Sequence, residues 1–450
     1  MILSITQGRL IDPYAHIDEP ADLLIEKGKV LCLFCGPSRV ADREAFLARR
    51  GESARQTIDA SGLVIAPGLI DGHSHFRDPG QTDKETLASG ASAAARGGYT
   101  TVVLMANTCP PVDCPAVIDD ILARARELPL HILQAATVSR GRKGRDLVAM
   151  EEMRDHGAAL FSDDGSAVMD ADLLRQAMER AHALHTLISL HEEDPAYIGS
   201  PGINRGKVSR RLGLSGAAFQ AEASLICRDI GIAAKTGGRI DFQHLSSAAS
   251  LSPIAAAKKA GVDVWAEVTP HHLALTEDAV LTWGSLAKVN PPLRTESDRL
   301  ALIRGLVDGT IDVIASDHAP HTKEEKNRPF AKAPSGMIGL ETALSLCIRY
   351  LVEPGYLSLS DLLARMTTRP AAMYGLSGGR LTVGSDADLV LFDPAERYVA
   401  KAEDLASKSR NSPFIGHELP GKVKYTICGG KIIYRDKELP PAEAASLSEG

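Results

Sequence analysis

Apolar positions near the start of the chain recur in short runs, at 1–5, 23–25 and 29–34, broken by Asp12-Pro13 and by Gly28. Runs this short between turn residues predict β-strands. The end of the chain repeats the pattern from about Leu381: ADLVLFDP, then VKYTICGGKIIYRD, where Gly429-Gly430 supplies a hairpin turn. Between the two ends the pattern changes. Short apolar runs at 63–76, 100–108, 131–138, 160–164, 187–194, 239–246, 263–275 and 312–318 alternate with segments of helical period. In SDRLALIRGLVDG, Ser297 is placed to cap a helix whose apolar face carries Leu300, Ile303, Leu306 and Val307 and which ends at Gly309. Ser252-Pro253 is expected to open another helix, with proline in its first position.

Strand–helix alternation repeated eight times over about 300 residues predicts an α/β fold, a (β/α)8 TIM-like barrel. No G-x-G-x-x-G follows the first strand, which argues against an open doubly wound sheet. The β-rich termini are expected to pair into one small β-sandwich domain. Residues 1–62 and 376–450 would then form the outer domain, and 63–375 the barrel. The polar end AEAASLSEG reads as a frayed tail.

Composition narrows the chemistry. With 44% hydrophobic and 24% charged residues the chain is globular and not disordered. Lys+Arg 50 against Asp+Glu 57 leaves a net charge of −7, so no basic surface for nucleic acid or a membrane is expected. A small anionic substrate would have to be drawn in by local arginines. No run reaches the roughly 18 apolar residues of a membrane span, and MILSITQGRLIDP lacks the basic and apolar regions of a secretory signal. Seven scattered cysteines fit reduced thiols and a cytoplasmic location. Cys32 and Cys35 form a C-x-x-C, but inside the strand-like KVLCLFCG and without a second pair, so they read as buried strand cysteines.

The chemistry-bearing residues sit where the predicted strands end, which is where a barrel places its function. The first strand ends in Asp71-Gly72-His73-Ser74-His75-Phe76-Arg77-Asp78. Side chains two apart on a strand share a face, so His73 and His75 can converge on one metal. Further strands end in Ser162-Asp163-Asp164, His191-Glu192-Glu193-Asp194, Gln243-His244 and Ser316-Asp317-His318. Buried histidines and carboxylates are costly unless paired or bound to a metal. A set of four imidazoles and two carboxylates, with no thiolate, suits zinc or another borderline divalent ion, and is larger than one tetrahedral ion needs. Arg77, two residues past His75, is placed to grip a carboxylate with two parallel hydrogen bonds.

DGHSHFRDPG, MANT, FSDDG, VNPPLR, SDHAPH and KSRNSP together resemble the class I dihydroorotases of the amidohydrolase superfamily, along nearly the whole chain. The resemblance implies that His73, His75 and Asp317 hold one Zn2+ and that His191 and His244 hold a second. Asp164 would be shared where many relatives use a carboxylated lysine; elementary physics alone does not choose between Asp163 and Asp164. One or two ions per chain are implied, two being favoured. It implies reversible closure of N-carbamoyl-L-aspartate to (S)-dihydroorotate in pyrimidine (UMP) biosynthesis, with Asp317 as the catalytic proton carrier. Arg77, Asn107 and His321 would hold the substrate carboxylate, Asn290 would read the ring, and Ser335-Gly336 would offer backbone groups to the pyrimidine edge. His271-His272 are read as structural, because the ligand set is complete without them. A homodimer is implied, and a complex with aspartate transcarbamoylase is known among such proteins. Two other readings stand beside this one. A hydantoinase or allantoinase usually carries the lysine bridge and lacks the Arg77–Asn107 pair. An inactive scaffold for the transcarbamoylase would have lost metal histidines, and all four are present here. Two departures are visible: Ala106 stands where the family commonly has proline, and Cys-Pro-Pro follows Thr108. The charged stretch 321–330 reads as a mobile loop, either a lid or merely solvated.

Overall fold

The computed structural model describes residues 2–51 and 56–439. The N-terminal segment supplies β1 (Ile2–Asp12), β2 (Ile17–Glu26), β3 (Lys29–Cys35), β4 (Gln56–Asp59) and β5 (Val64–Pro67). Eight parallel strands follow: β6 (Leu69–Ser74), β7 (Tyr99–Leu104), β8 (His131–Ala136), β9 (Ala158–Phe161), β10 (Leu187–Leu190), β11 (Arg239–Phe242), β12 (Val264–Val268) and β13 (Val313–Ile314). They lie in sequence order, and an isolated parallel bridge between Ser74 and His318 joins the last to the first. The chain closes with β14 (Leu389–Val399), β15 (Glu418–Cys428) and β16 (Lys431–Arg435), which join β1–β5 in a second sheet of order β16-β15-β14-β5-β1-β2-β3, with β4 on β1. The architecture is the α/β barrel with an outer β domain built from both termini.

The run 63–76 is two strands, not one. β5 pairs with Arg9 and Leu10 of β1 and, antiparallel, with β14, so it belongs to the outer sheet. The break falls at Gly68, where a Cβ would lie 2.2 Å from Thr100 Oγ1. Only glycine allows that approach to β7. The other barrel strands are shorter than their apolar runs, because the ladders stop before the polar endings and leave them as loops at the C-terminal mouth. β12 stops at Val268 because Thr269 caps a helical turn, Pro270–Ala274, with proline in its first position.

Two helix starts differ from expectation. Thr295, not Ser297, caps Glu296–Asp308; its hydroxyl accepts from Asp298 N and the Asp298 carboxylate returns to Thr295 N. Gly309 ends that helix in the left-handed region, but Val307 is 51% exposed and off the buried face. Leu251–Lys259 runs on from a 3-10 turn at Ala248–Ser250, which puts Pro253 third rather than first.

Packing follows the strand period. On β14, Leu389 and Leu391 face a core shared with Leu3, Ile5, Leu23, Ile25, Tyr425 and Ile427, so the two arms of the outer sheet fold over one another. Val390 and Phe392 face the other way, into the barrel core. Each fully buried side chain of this kind contributes about 1.5–3 kcal/mol, which holds the outer domain against the barrel. Cys32 and Cys35 lie on β3 as free thiols and are half-buried rather than buried. The tail at 442–450 lies outside the described residues. No helix among the described residues is long and apolar enough to cross a membrane.

Candidate metal centre

The first two imidazoles come from the end of β6. Asp71 anchors that end: its carboxylate accepts from Ser316 N at 2.7 Å and Ser316 Oγ at 2.6 Å, tying β6 to the residue before Asp317. The His73 and His75 rings then lie 5.2 Å apart, centre to centre. His75 Nε2 is 3.1 Å from Asp317 Oδ1, and His73 Nε2 is 3.7 Å from the same oxygen. His191 and His244, from the loops after β10 and β11, meet with Nδ1 and Nε2 3.0 Å apart. Asp164 lies between the two pairs. Its Oδ1 is 3.5 Å from His73 Nε2, 3.5 Å from His191 Nδ1 and 3.8 Å from His244 Nε2, and its Oδ2 is 3.6 Å from His75 Nε2. Asp163 faces elsewhere, accepting from Val138 N, Ser139 N and the Ser139 hydroxyl. Arg77, His244 and Asp317 hold left-handed backbone, φ 57°, 33° and 44°. For residues other than glycine that costs on the order of 1–3 kcal/mol each, and it persists only where the surroundings enforce it.

The residues present fit a divalent cation. His73 Nδ1 and Nε2 and His244 Nδ1 are buried without a hydrogen-bond partner, and an unpaired buried polar atom costs about 1–3 kcal/mol. One donor atom each from His73, His75 and Asp317 falls within 4.8 Å of the others, and so does one each from His73, Asp164 and His244. Burial opposes charge on Asp164, but His73, His191 and His244 outweigh it and hold the carboxyl well below the ordinary carboxylate range. Asp317 is held low in the same way, by His75, His73 and His244. Burial and the neighbouring Arg77 push His75 down, keeping it neutral, the form that donates a lone pair.

Above these groups opens a cavity of about 230 Å³, lined by every expected site residue except His73, which lies beneath it. Arg77 spends its Nε on Pro320 O at 3.3 Å. Asn107 is more engaged than expected of a substrate contact: its Oδ1 lies 2.9 Å from His75 Nδ1 and its Nδ2 donates to Asp164 Oδ2 at 2.7 Å. It therefore orients one imidazole and one carboxylate at once. Asn290 accepts from Gly202 N at 3.0 Å and donates to Glu193, whose Oε2 also lies 3.0 Å from His191 Nε2. His321 Nε2 donates to Ser335 O at 2.8 Å. Burial, then Arg77 and Lys326, push His321 down to about 3. Of the paired histidines, His272 is fixed by Thr269 Oγ1 at 2.8 Å and Pro291 O at 3.1 Å. His271 is buried behind the centre with no partner for its Nε2.

Three positioning groups escaped the sequence reading. Glu267 places Oε2 3.4 Å from His73 Nδ1; it stands one residue before the end of β12, inside the apolar run 263–275, and an acid within such a run was the available signal. Asn411, in KSRNSP, accepts from His321 N at 3.0 Å and donates to Ala319 O at 2.9 Å and Gly336 O at 3.1 Å. Lys326 left no signal, standing in a charged run. Its side chain is buried, donating to Pro334 O at 3.0 Å and Gly336 O at 2.8 Å, while Lys288 Nζ reaches Phe330 O at 2.8 Å and Ala333 O at 2.7 Å. The stretch 321–330 is thus pinned to the body, with one helical turn, Lys323–Lys326, capped by Thr322. Lys326→Met should strand those carbonyls at about 1–3 kcal/mol. Hydrogen exchange should show the amides of Ala333, Ser335 and Gly336 opening at least roughly tenfold faster, and unchanged protection there would show that Lys326 does not hold the loop.

Comparison with known proteins places the chain. A model of the amidohydrolase family matches residues 64–433. A dihydroorotase of Clostridioides difficile (strain 630) is 46% identical over 434 residues, 96% of this chain and 100% of that protein. One from Lactococcus lactis subsp. lactis is 47% identical over 437 residues, 97% and 100% of the two chains. Among solved structures, the L-hydantoinase (dihydropyrimidinase) from Arthrobacter aurescens superposes with a TM-score of 0.84 at 25% identity, covering 98% of each chain. A dihydropyrimidinase from Brevibacillus agri NCHU1002 gives 0.80 at 23% identity over 99% of this chain and 97% of that one, a likeness of fold alone. The chain belongs to the amidohydrolase family and, within it, to the group formed by these dihydroorotases.

Proposed function

We propose that this protein is a zinc-dependent dihydroorotase that closes N-carbamoyl-L-aspartate to (S)-dihydroorotate, and opens the ring in reverse, within de novo pyrimidine (UMP) biosynthesis. The observation that carries the reading is Arg77, which lines one small cavity with His75, Asp164, His191, His244 and Asp317. A carboxylate-gripping cation thus stands beside a metal-ligand set, as a ring bearing both a cyclic amide and a carboxylate requires. The names of the relatives at 46–47% identity point the same way.

His73, His75 and Asp317 would hold one ion, His191 and His244 a second, with Asp164 shared. Bound zinc would supply a water nucleophile at neutral pH and polarise the ring amide. Asp317, kept ionised by the imidazoles, accepts the proton of the attacking water as the bond to carbon forms. It then gives that proton to the ring nitrogen as the C–N bond breaks. Arg77 holds the ring carboxylate in a bidentate grip. Asn290 and the backbone at Ser335-Gly336 face the ring edge, and neutral His321 fixes that loop through Ser335 O. Synthesis runs the same steps backwards.

Arg77→Met tests substrate choice. A charge-assisted pair contributes about 1.5–3 kcal/mol, so KM for dihydroorotate should rise roughly 10–100-fold with metal content unchanged. An unaltered KM would remove Arg77 from the substrate. The likeness to an L-hydantoinase favours a second reading, action on a cyclic amide without a carboxylate. Purified protein assayed with dihydroorotate, hydantoin and dihydrouracil decides between them: preferred turnover of the uncarboxylated rings would refute the dihydroorotase reading.

A further inference from the structure

At the end of the barrel opposite the histidine cluster, β8 begins at His131. Its ring is half-exposed, with Nε2 2.9 Å from Asp388 Oδ2 at the start of β14. Cys428, the last residue of β15, completes the group: one donor atom from each of the three lies within 4.8 Å of the other two. Asp388 and Cys428 are buried. Gly429 N holds Asp388 Oδ1 at 2.7 Å, which leaves Oδ2 facing the imidazole, and Cys428 Sγ is 3.8 Å from Thr100 O. His131 and Cys428 also line an open groove of about 530 Å³ beside Leu128, Leu133 and Lys431, so water and small ions reach the group.

We propose that His131, Asp388 and Cys428 form a second cation site for a borderline, thiophilic divalent ion such as Zn2+ or Co2+, its fourth position facing solvent in the groove. A thiolate, an imidazole and a carboxylate are a donor set such ions favour over Mg2+ or Ca2+. Bond lengths of about 2.0–2.3 Å put the donors of a tetrahedral site about 3.3–3.8 Å apart. The half-exposed imidazole can reach that spacing by rotating off its 2.9 Å contact with Asp388. Binding sends the thiol proton and the imidazolium proton to solvent. The group formed by Glu396, Asp436 and Glu438 makes no such case, because Lys422 and Lys424 already pair with all three carboxylates. The three donors come from a barrel strand and two strands of the outer sheet, so an ion there ties the two domains together.

Cobalt substitution separates this site from the other. The histidine cluster contains no sulfur, so a thiolate-to-cobalt charge-transfer band reports only on cysteine. The metal-stripped full-length protein should develop that band on titration with Co2+ and bind one more ion per chain than Cys428→Ser, which should lack the band. His131→Gln, at a half-exposed position, should need at least roughly tenfold more Co2+ to reach it. Both variants should keep the cobalt-supported turnover of the parent. No band at saturating Co2+, a band that survives in Cys428→Ser, or an unshifted titration in His131→Gln would overturn the proposal and leave the dihydroorotase reading untouched.

Discussion

Asp317→Asn should lower kcat by roughly 10²–10⁴-fold while the protein stays folded. The substitution keeps the shape of the side chain and removes its ability to take a proton. Asparagine also tolerates left-handed backbone better than most residues, so φ 44° at this position can be retained. The contact to His75 Nε2 at 3.1 Å can be met by the amide. What disappears is a carboxylate held ionised against burial by three imidazoles. Steady-state kinetics in both directions, with a thermal melt and metal content on the same preparation, check this. A variant within tenfold of the parent, metal intact, would place proton transfer on another group. Equal losses of metal and activity would mark Asp317 as a ligand alone.

Chelation should have the next largest effect. Removing divalent ions is expected to cut turnover by at least about 10³-fold and to lower Tm by several degrees, with Zn2+ restoring both. Four buried imidazoles, two of them with unpartnered nitrogens, face two carboxylates here, and an ion that binds the folded state alone stabilises it by mass action. Rescue should also depend on pH. Against burial, Asp164 and Glu193 hold a proton on His191 up to about 9, and a metal must displace it. The Zn2+ concentration for half-rescue should therefore rise as pH falls. Full activity in protein shown to be metal-free would remove the metal from the reaction.

Most of the fold was legible because strand and helix periods are local properties. Eight apolar runs marked eight barrel strands, and the short runs at both ends marked the outer sheet, whereas the burial of β14 on both faces emerged only with the barrel packed against it. Boundaries were less legible. Thr295 and Ser297 are both adequate caps, and only the extended backbone at Thr295 decides between them. The break at Gly68 depends on Thr100, a residue of the next strand.

The site divides along the same line. His73, His75, His191, His244 and Asp317 could be picked out from sequence because each is a polar residue ending an apolar run, where burial without a partner is expensive. Asp163 and Asp164 satisfy that rule equally, and only the approach of Val138 and Ser139 takes Asp163 away. Lys326 sits in a run that reads as solvated charge, yet its ammonium is satisfied by carbonyls of a loop brought over it. Local pattern thus determined which residues end strands and carry chemistry. Closing the barrel decided which of them meet, because hydrogen bonds between residues far apart in the chain exist only once their strands are side by side.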